Sequence, residues 1–189
     1  MLDFLINIDL SLFYFINGTL SNSVFDKLMP FITNHNHWIL LYILVVISLL
    51  WKGGKKGRIC IVLLFIIITL SDQISSSLIK EAVGRIRPCH VLSDINLLVP
   101  CGGGKSFPSS HAVNNFSAAL LLSFFYREYR WIFFSIATIM AFSRVYVGVH
   151  YPFDVIAGAV IGLIISLSII LIYKKLAKKV KFFQVLPPQ

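Results

Sequence analysis

Charged side chains are scarce in this sequence. Lysine, arginine, aspartate and glutamate make up 13% of the 189 residues, whereas a soluble domain carries about 25%. Hydrophobic residues make up 57%, which excludes an ordinary water-soluble domain and predicts a protein of the lipid bilayer. The chain also lacks internal repeats and low-complexity linkers, so the sequence predicts a single domain over residues 1–189.

A cleavable secretory signal is also missing. The first 33 residues have no basic start and no Ala-x-Ala-like cleavage site. Their apolar residues are interrupted by Asp3, Asn7, Asp9, Asn17, Asp26 and Lys27. We therefore predict that residues 2–33 remain attached and form an interfacial amphipathic helix, with a sixth, polar-interrupted span as the alternative.

Five apolar runs approach the roughly 20 helical residues that cross a bilayer core of about 30 Å. They cover residues 37–51, 59–79, 113–125, 131–149 and 153–173. The first and third runs are short, and we expect flanking aromatic residues at the membrane interfaces to extend them. The predicted fold class is all-α, a polytopic membrane helix bundle with five clear spans plus the N-terminal segment.

The basic residues predict the orientation of this bundle, because short loops rich in lysine and arginine stay in the cytoplasm. Eleven of the seventeen basic residues fall on one side of a five-span topology: Lys52, Lys55, Lys56, Arg58, Arg127, Arg130, Lys174, Lys175, Lys178, Lys179 and Lys181. Topology and anionic headgroups thus explain the net charge of +9, and no nucleic-acid-binding module is visible. We expect a bacterial inner membrane protein.

Lys80, Arg85, Arg87, Lys105 and Arg144 lie on the other side, and three of them belong to spaced polar clusters. The clusters read Lys80-x6-Arg87-Pro88, Pro108-Ser109-Ser110-His111 and Ser143-Arg144-x5-His150-x3-Asp154. Each cluster stands beside a long apolar segment. Lys80, Arg87 and Arg144, which depart from the positive-inside pattern and belong to the clusters, are therefore the candidate ligands of an anion.

Phosphoester hydrolysis needs cations and amide donors around the phosphoryl oxygens, a nucleophile and an acid. Lys80, Arg87 and Arg144 supply positive charge, and a guanidinium group can grip phosphate in bidentate fashion. Ser109 precedes a predicted helix whose free amides would bind an anion. His150 and Asp154 are four residues apart, so the carboxylate can fix the imidazole tautomer.

These clusters resemble the type 2 phosphatidic acid phosphatase family over about 75 residues. The resemblance implies that His150 attacks phosphorus to form a phosphohistidine and that His111 protonates the leaving oxygen and then activates water. Asp154 completes the catalytic set. Phosphate ligands would be Lys80, Arg87, Ser109, the amide of Ser110 and Arg144. At position 110 the family often has glycine, but the amide donor survives that change. The resemblance implies no metal and no other cofactor.

The prediction is therefore an integral membrane lipid phosphatase with its active site at the outer face, towards the periplasm or exterior. Candidate substrates are undecaprenyl diphosphate, phosphatidylglycerophosphate, phosphatidic acid and lipid A phosphate. Vanadate-dependent haloperoxidases share the constellation but are soluble enzymes. A noncatalytic lipid-phosphate binding or transport protein is the alternative, because buried charges can also line a transport path.

Only three cysteines are present. Cys60 lies in an apolar run and is predicted to serve packing. Cys89 and Cys101 bracket the loop between the first two clusters, on the side where oxidation is permitted. They form a candidate disulfide, which geometry decides.

Overall fold

The computed structural model describes residues 2–180 and confirms the all-α prediction. Lys181, counted above with the basic tail, lies outside the described residues. The helices are α1 Leu2–Tyr14, α2 Phe25–Thr33, α3 Ile39–Trp51, α4 Gly54–Asp72, α5 Lys80–Val83, α6 Pro88–Val91, α7 Ser110–Phe125, α8 Arg130–Tyr146 and α9 Pro152–Lys179. Between the described ends, no strand is present beyond one isolated bridge from Ile86 to Lys105.

The five predicted spans are helical over most of their length, although the run 131–149 leaves the helix after Tyr146, and their number as spans is not confirmed. A π-helical segment, Gln73–Ile79, joins α4 to α5, so that residues Gly54–Val83 form one helix of 30 residues. Among residues 2–180, this helix and the 28-residue α9 are long and apolar enough to cross a membrane. A third span exists if Phe25–Thr33 and His35–Trp51, bent by 71°, count together. Helices α7 and α8 have 16 and 17 residues, so each is only about 25 Å long.

The outer surface of the bundle is apolar, as expected for an integral membrane protein. Phe65 on α4 is 75% exposed, and Ile164 and Leu171 on α9 are more than half exposed. Such a surface is stable in lipid and would aggregate in water. The chain is therefore an integral membrane protein.

Helix α7 occupies the centre of the bundle, packed by α4, α8 and α9. Its closest neighbour is α9, which approaches through Gly158 and Gly162. A Cβ atom on Gly158 would lie 2.8 Å from the Ser109 carbonyl oxygen, and one on Gly162 would collide with the Val113 carbonyl oxygen. Small residues let helix backbones approach closely in membranes. The contact holds the N-terminal ends of α7 and α9 side by side.

We expect Gly162→Ala to destabilise the fold by about 1–3 kcal/mol, because the added methyl group meets backbone that cannot move aside without separating α7 from α9. Thermal unfolding of the detergent-purified protein measures the effect. Gly18→Ala is the matched control, since a Cβ there meets nothing within 4 Å. Equal melting temperatures for the two variants would contradict the tight crossing.

The N-terminal segment forms two helices, not one continuous amphipathic helix. Helix α1 packs against α9, and α2 packs against α8. Two of the polar residues that interrupt this segment, Asp9 and Asn17, are each only 1% exposed. The Asn17 side chain donates to the carbonyl oxygens of Asn96 and Tyr146 and accepts the Asn96 amide at 2.8 Å. The segment is thus bonded to the bundle, and its placement relative to the bilayer stays a prediction.

The loop between α6 and α7 is fastened at both ends. The structure joins Cys89 and Cys101 in a disulfide, with Cα atoms 5.9 Å apart. The Ser106 amide donates to the Arg85 carbonyl oxygen at 2.7 Å. Cys60, by contrast, is buried in the apolar cluster that contains Leu121 and Phe125. The loop therefore leads into Ser109 from a fixed position.

Candidate active site

The three polar clusters meet at one end of the bundle. Lys80 lies where the long helix Gly54–Val83 ends, Ser109 precedes α7, Arg144 is in the last turn of α8, and Asp154 is in the first turn of α9. Consecutive helices run in opposite directions, so these ends share one face. His111 lies within electrostatic range of Lys80, Arg144 and His150, which places these predicted site residues in one neighbourhood.

Local sequence explains how His150 reaches this site. Gly148 adopts φ of 85°, a left-handed conformation that favours glycine, and it turns the chain after α8. Pro152 is the first residue of α9, where its missing N–H costs no hydrogen bond. Asp154 accepts the Tyr151 amide at 2.9 Å and so caps the same helix. His150 is held between the turn and the cap and is 1% exposed.

The two ring nitrogens of His150 have different neighbours. Nε2 lies 3.2 Å from Nη1 of Arg87, and because a guanidinium group only donates, Nε2 must accept. The ring proton is then on Nδ1, which faces Oδ2 of Asp154 at 3.5 Å. This tautomer leaves the Nε2 lone pair directed at the cationic side of the site. The geometry agrees with the predicted role of His150 as a nucleophile.

Burial lowers the pKa of His150 from 6.5 to about 4, although the nearby Asp154 carboxylate opposes the change. The imidazole is therefore neutral at pH 7, as a nucleophile must be. We expect the His150 ring signals in ¹⁵N-histidine NMR spectra to titrate near pH 4, since protonation requires the pH to fall through the lowered pKa. The chain has five histidines, and comparison with His150→Gln assigns the signal. A midpoint at or above 6.5 would contradict the buried, neutral ring.

Buried polar atoms without a hydrogen-bond partner gather around the nucleophile. Within the described part of the chain they include Arg87 Nε, Ser109 Oγ and Arg144 Nε. Buried donors are almost always paired in folded proteins, so a group of unpaired ones indicates a ligand with several acceptor oxygens. A phosphoryl group has that chemistry. Lys80 adds a further positive charge, near enough for Arg87 and Arg144 to act on it.

Ser109 occupies the N-cap position of α7, as predicted, but its side chain makes no capping hydrogen bond. Its amide donates to the Asp154 carbonyl oxygen at 2.9 Å, which fixes the backbone while the hydroxyl stays unpaired. Ser110 is the first residue of α7, and its hydroxyl contacts Ser75 and Ser76 on the π-helical segment. The Ser110 amide thus lies at a helix N-terminus, which favours anions.

His111 and Arg144 line a cavity of about 660 Å³. Its other walls come from α2, the turn that follows α2 and the loop before α7: Lys27, Pro30, Phe31, Thr33, Asn34, His35, His37, Leu98, Val99 and Pro100. The Arg144 guanidinium donates to the Thr33 hydroxyl at 2.6 Å, which orients it at the cavity floor. A headgroup in this cavity would therefore meet the predicted acid and one predicted phosphate ligand together.

Sequence reasoning did not identify three residues that support the site. Arg85 contacts Asp154, Asp9 contacts Arg85, and Thr33 contacts Arg144. Only an indirect signal for Arg85 is present in the sequence. It lies on the side of the predicted topology where basic residues are rare, but it does not belong to the spaced clusters. Lys105, a basic residue on the same side, pairs with Glu81.

One group of potential metal ligands lies on α6 and in the loop before α7. Among the described residues, Cys89, His90 and Cys101 form one group close enough to share an ion. The disulfide removes both thiolates of that group, so these residues do not fit a metal. The donors around His150 are cationic and suit an anion.

Comparison with known proteins agrees with this geometry. Residues 60–178 match the PAP2 superfamily. A lipid A 4'-phosphatase of Bacteroides thetaiotaomicron is 36% identical over 171 residues, which cover 86% of this chain and 75% of that protein. An undecaprenyl-diphosphatase of Sulfolobus acidocaldarius is 32% identical over 142 residues, 75% of this chain and 67% of that protein. The crystal structure of Aquifex aeolicus LpxE superposes with a TM-score of 0.69 at 27% identity, covering 86% of this chain and 94% of that one. The chain belongs to the PAP2 superfamily of phosphatases.

Proposed function

We propose that this protein hydrolyses a lipid phosphate or diphosphate without a metal, through a phosphohistidine on His150. The observation that carries the proposal is the group of unpaired donors around a buried, neutral imidazole. Arg87, Arg144, Ser109 and Lys80 would hold the phosphoryl oxygens, which places phosphorus near the Nε2 lone pair. Electrostatic stabilisation of this kind is usually the largest contribution to catalysis.

The reaction proceeds in two displacements. Nε2 of His150 attacks phosphorus, and the bond from phosphorus to the lipid oxygen breaks. His111, which would enter this step as the imidazolium beside the bound phosphate anion, gives one proton to the leaving oxygen and becomes neutral. The Asp154 carboxylate stabilises the positive charge that develops on the imidazole. Water then attacks phosphorus, His111 takes its proton, and the N–P bond breaks to release phosphate and neutral His150. His111 therefore serves as the general acid in the first displacement and as the general base in the second.

The position of the cavity supports a lipid substrate. It is lined by α2 and by the turn that follows α2, and this lining includes the half-exposed Phe31. A phosphate can reach His111 and Arg144 through the cavity while acyl or prenyl chains remain in the bilayer. The names of the relatives make lipid A phosphate and undecaprenyl diphosphate the first two candidates, ahead of phosphatidylglycerophosphate and phosphatidic acid.

The arrangement of helix ends supports a site at the outer face of the inner membrane. The basic turns between α3 and α4 and between α7 and α8 lie at the end of the bundle opposite the site, as do the lysines of α9. Basic loops stay in the cytoplasm, so the site would face the periplasm or the exterior. Labelling of single cysteines placed in these turns and in the loop before α7 tests the orientation.

Phosphate release by detergent-purified protein tests the activity. The four candidate lipids are supplied separately, with and without EDTA, beside the His150→Ala variant. We expect release from at least one lipid, no loss with EDTA and no release by the variant. Binding of lipid phosphate without release by folded wild-type protein would instead indicate the noncatalytic alternative, and loss with EDTA would contradict the metal-independent mechanism.

A further inference from the structure

A carboxylate far from the spaced clusters is buried beside the site. Asp9 lies on α1, outside residues 60–178, and is 1% exposed. Its Oδ1 accepts the Phe153 amide at 2.8 Å, and its Oδ2 accepts from Arg85 Nη2 at 2.6 Å. A buried charge costs free energy unless it is paired and hydrogen-bonded, and both oxygens of Asp9 are so satisfied.

Arg85 carries the connection from Asp9 to the catalytic histidine. Its Nη1 donates to Oδ1 of Asp154 at 2.8 Å, and its guanidinium group stacks on the Tyr151 ring at 3.9 Å. The planar guanidinium therefore joins two carboxylates at a fixed separation. Asp154 is held at Oδ1 by Arg85 and at Oδ2 by the Tyr151 amide, with Oδ2 facing His150.

This geometry determines the rotation of the Asp154 carboxylate. Without Arg85 only the Tyr151 amide would hold it, and the plane could turn about the Cβ–Cγ bond. The position of Arg85 depends in turn on Asp9, because the Arg85 side chain is 26% exposed and could otherwise turn towards water. Asp9 also contacts the first turn of α9 directly through Phe153. It therefore acts on the nucleophile's orientation by two routes.

We propose that Asp9 is a positioning residue of the active site, acting through Arg85 to hold the Asp154 carboxylate against Nδ1 of His150 and so to keep the imidazole in its reactive orientation. The proposal rests on the proposed function for its kinetic consequence. Asp9 touches neither the phosphate ligands nor the cavity, so its loss should slow the chemical step and leave lipid binding unchanged. A residue that only anchors α1 would change stability alone.

The test compares Asp9→Asn, Arg85→Gln and the double variant with wild type on the preferred lipid. Asparagine keeps the shape of Asp9 and an acceptor for the Phe153 amide but loses the ion pair. We expect kcat to fall about 10- to 100-fold with KM within about twofold, the range found when a group that orients a reactive side chain is removed. The double variant should be no slower than Arg85→Gln, because both changes interrupt one connection.

Asp3→Asn is the matched control, since Asp3 lies on the same helix and is exposed. It should keep the wild-type kcat. Melting temperatures report the structural contribution separately. If Asp9→Asn does not fold, Arg85→Gln decides, because its partly exposed side chain has less packing to lose. Wild-type kcat in any folded variant of Asp9 or Arg85 would overturn the proposal.

A measurement that does not depend on catalytic activity can test the positioning role of Asp9 independently of the proposed function. Wild-type protein that releases no phosphate would refute the activity, yet the His150 ring nitrogens can still be observed by ¹⁵N NMR. Arg87 faces Nε2 in every variant, so we expect the Nδ1-protonated tautomer throughout, with the Nδ1 signal shifted in Asp9→Asn because the Asp154 carboxylate has turned away from it. Identical His150 spectra would overturn the positioning role whatever the activity.

Discussion

Replacing His150 with alanine is expected to lower phosphate release by about 10⁵-fold or more, the size of loss seen when a catalytic nucleophile is removed. The Nε2 atom that would bond to phosphorus is then absent. Arg87, Arg144 and Ser109 remain, so the variant should still bind the lipid. The loss should therefore appear in kcat and not in KM.

A substrate labelled with ³²P in the reacting phosphoryl group tests directly whether His150 becomes phosphorylated. Wild-type protein quenched in base, where an N–P bond survives, should carry one label per active site during turnover. His150→Ala should carry none. His90→Ala is the control, because His90 is exposed on α6 and donates nothing to the site. Labelled protein in His150→Ala would mean that another residue is the nucleophile.

The residues proposed to bind the phosphate could be located from the sequence because each proposed chemical role demands a particular residue type beside a helix end. Arg87 before Pro88, Ser109 before α7 and Asp154 after Pro152 sit where capping and anion binding place such residues. The structure puts all three at one end of the bundle. The all-α fold class could also be predicted from the long apolar runs, since a bilayer admits few other spanning structures.

The supporting residues could not be predicted in the same way. Asp9 and Arg85 are 76 positions apart, and Asp9 and Phe153 are 144 apart. No local rule relates such positions. In the sequence Asp9 looked like a polar interruption of an interfacial helix, and only the packing of α1 against α9 shows that it faces inward. The number of spans is not confirmed either, because α7 and α8 have 16 and 17 residues, fewer than the roughly 20 that cross a bilayer core.

The first 59 residues, outside the PAP2 match, contribute to the site at three places. Asp9 contacts Arg85, Thr33 contacts Arg144, and Asp26 accepts the Tyr146 hydroxyl at 2.7 Å, close to Arg144 along α8. They also form most of the cavity wall. In the proposed mechanism the reacting groups therefore come from the matched region, whereas most of the cavity wall comes from the N-terminal segment.

Replacing His111 with asparagine is expected to slow release from a lipid phosphate by about 10²- to 10⁴-fold, the usual contribution of general acid–base catalysis. His111 would serve both displacements, first as acid and then as base, so both steps lose rate. Asparagine fits the first turn of α7 and keeps the hydrogen bond that the Asn115 side-chain amide donates to the carbonyl oxygen of residue 111. The phosphate ligands and His150 are unchanged.

A change of leaving group separates the two roles of His111. With 4-nitrophenyl phosphate the departing phenolate is stable as an anion and needs no proton, so the first displacement should recover in His111→Asn. The second displacement still lacks its base. We expect a burst of nitrophenolate equal to the enzyme concentration, followed by slow turnover and accumulation of phosphohistidine. An equal loss with both substrates and no burst would show that His111 does not protonate the leaving oxygen, and the acid would then have to come from elsewhere in the cavity.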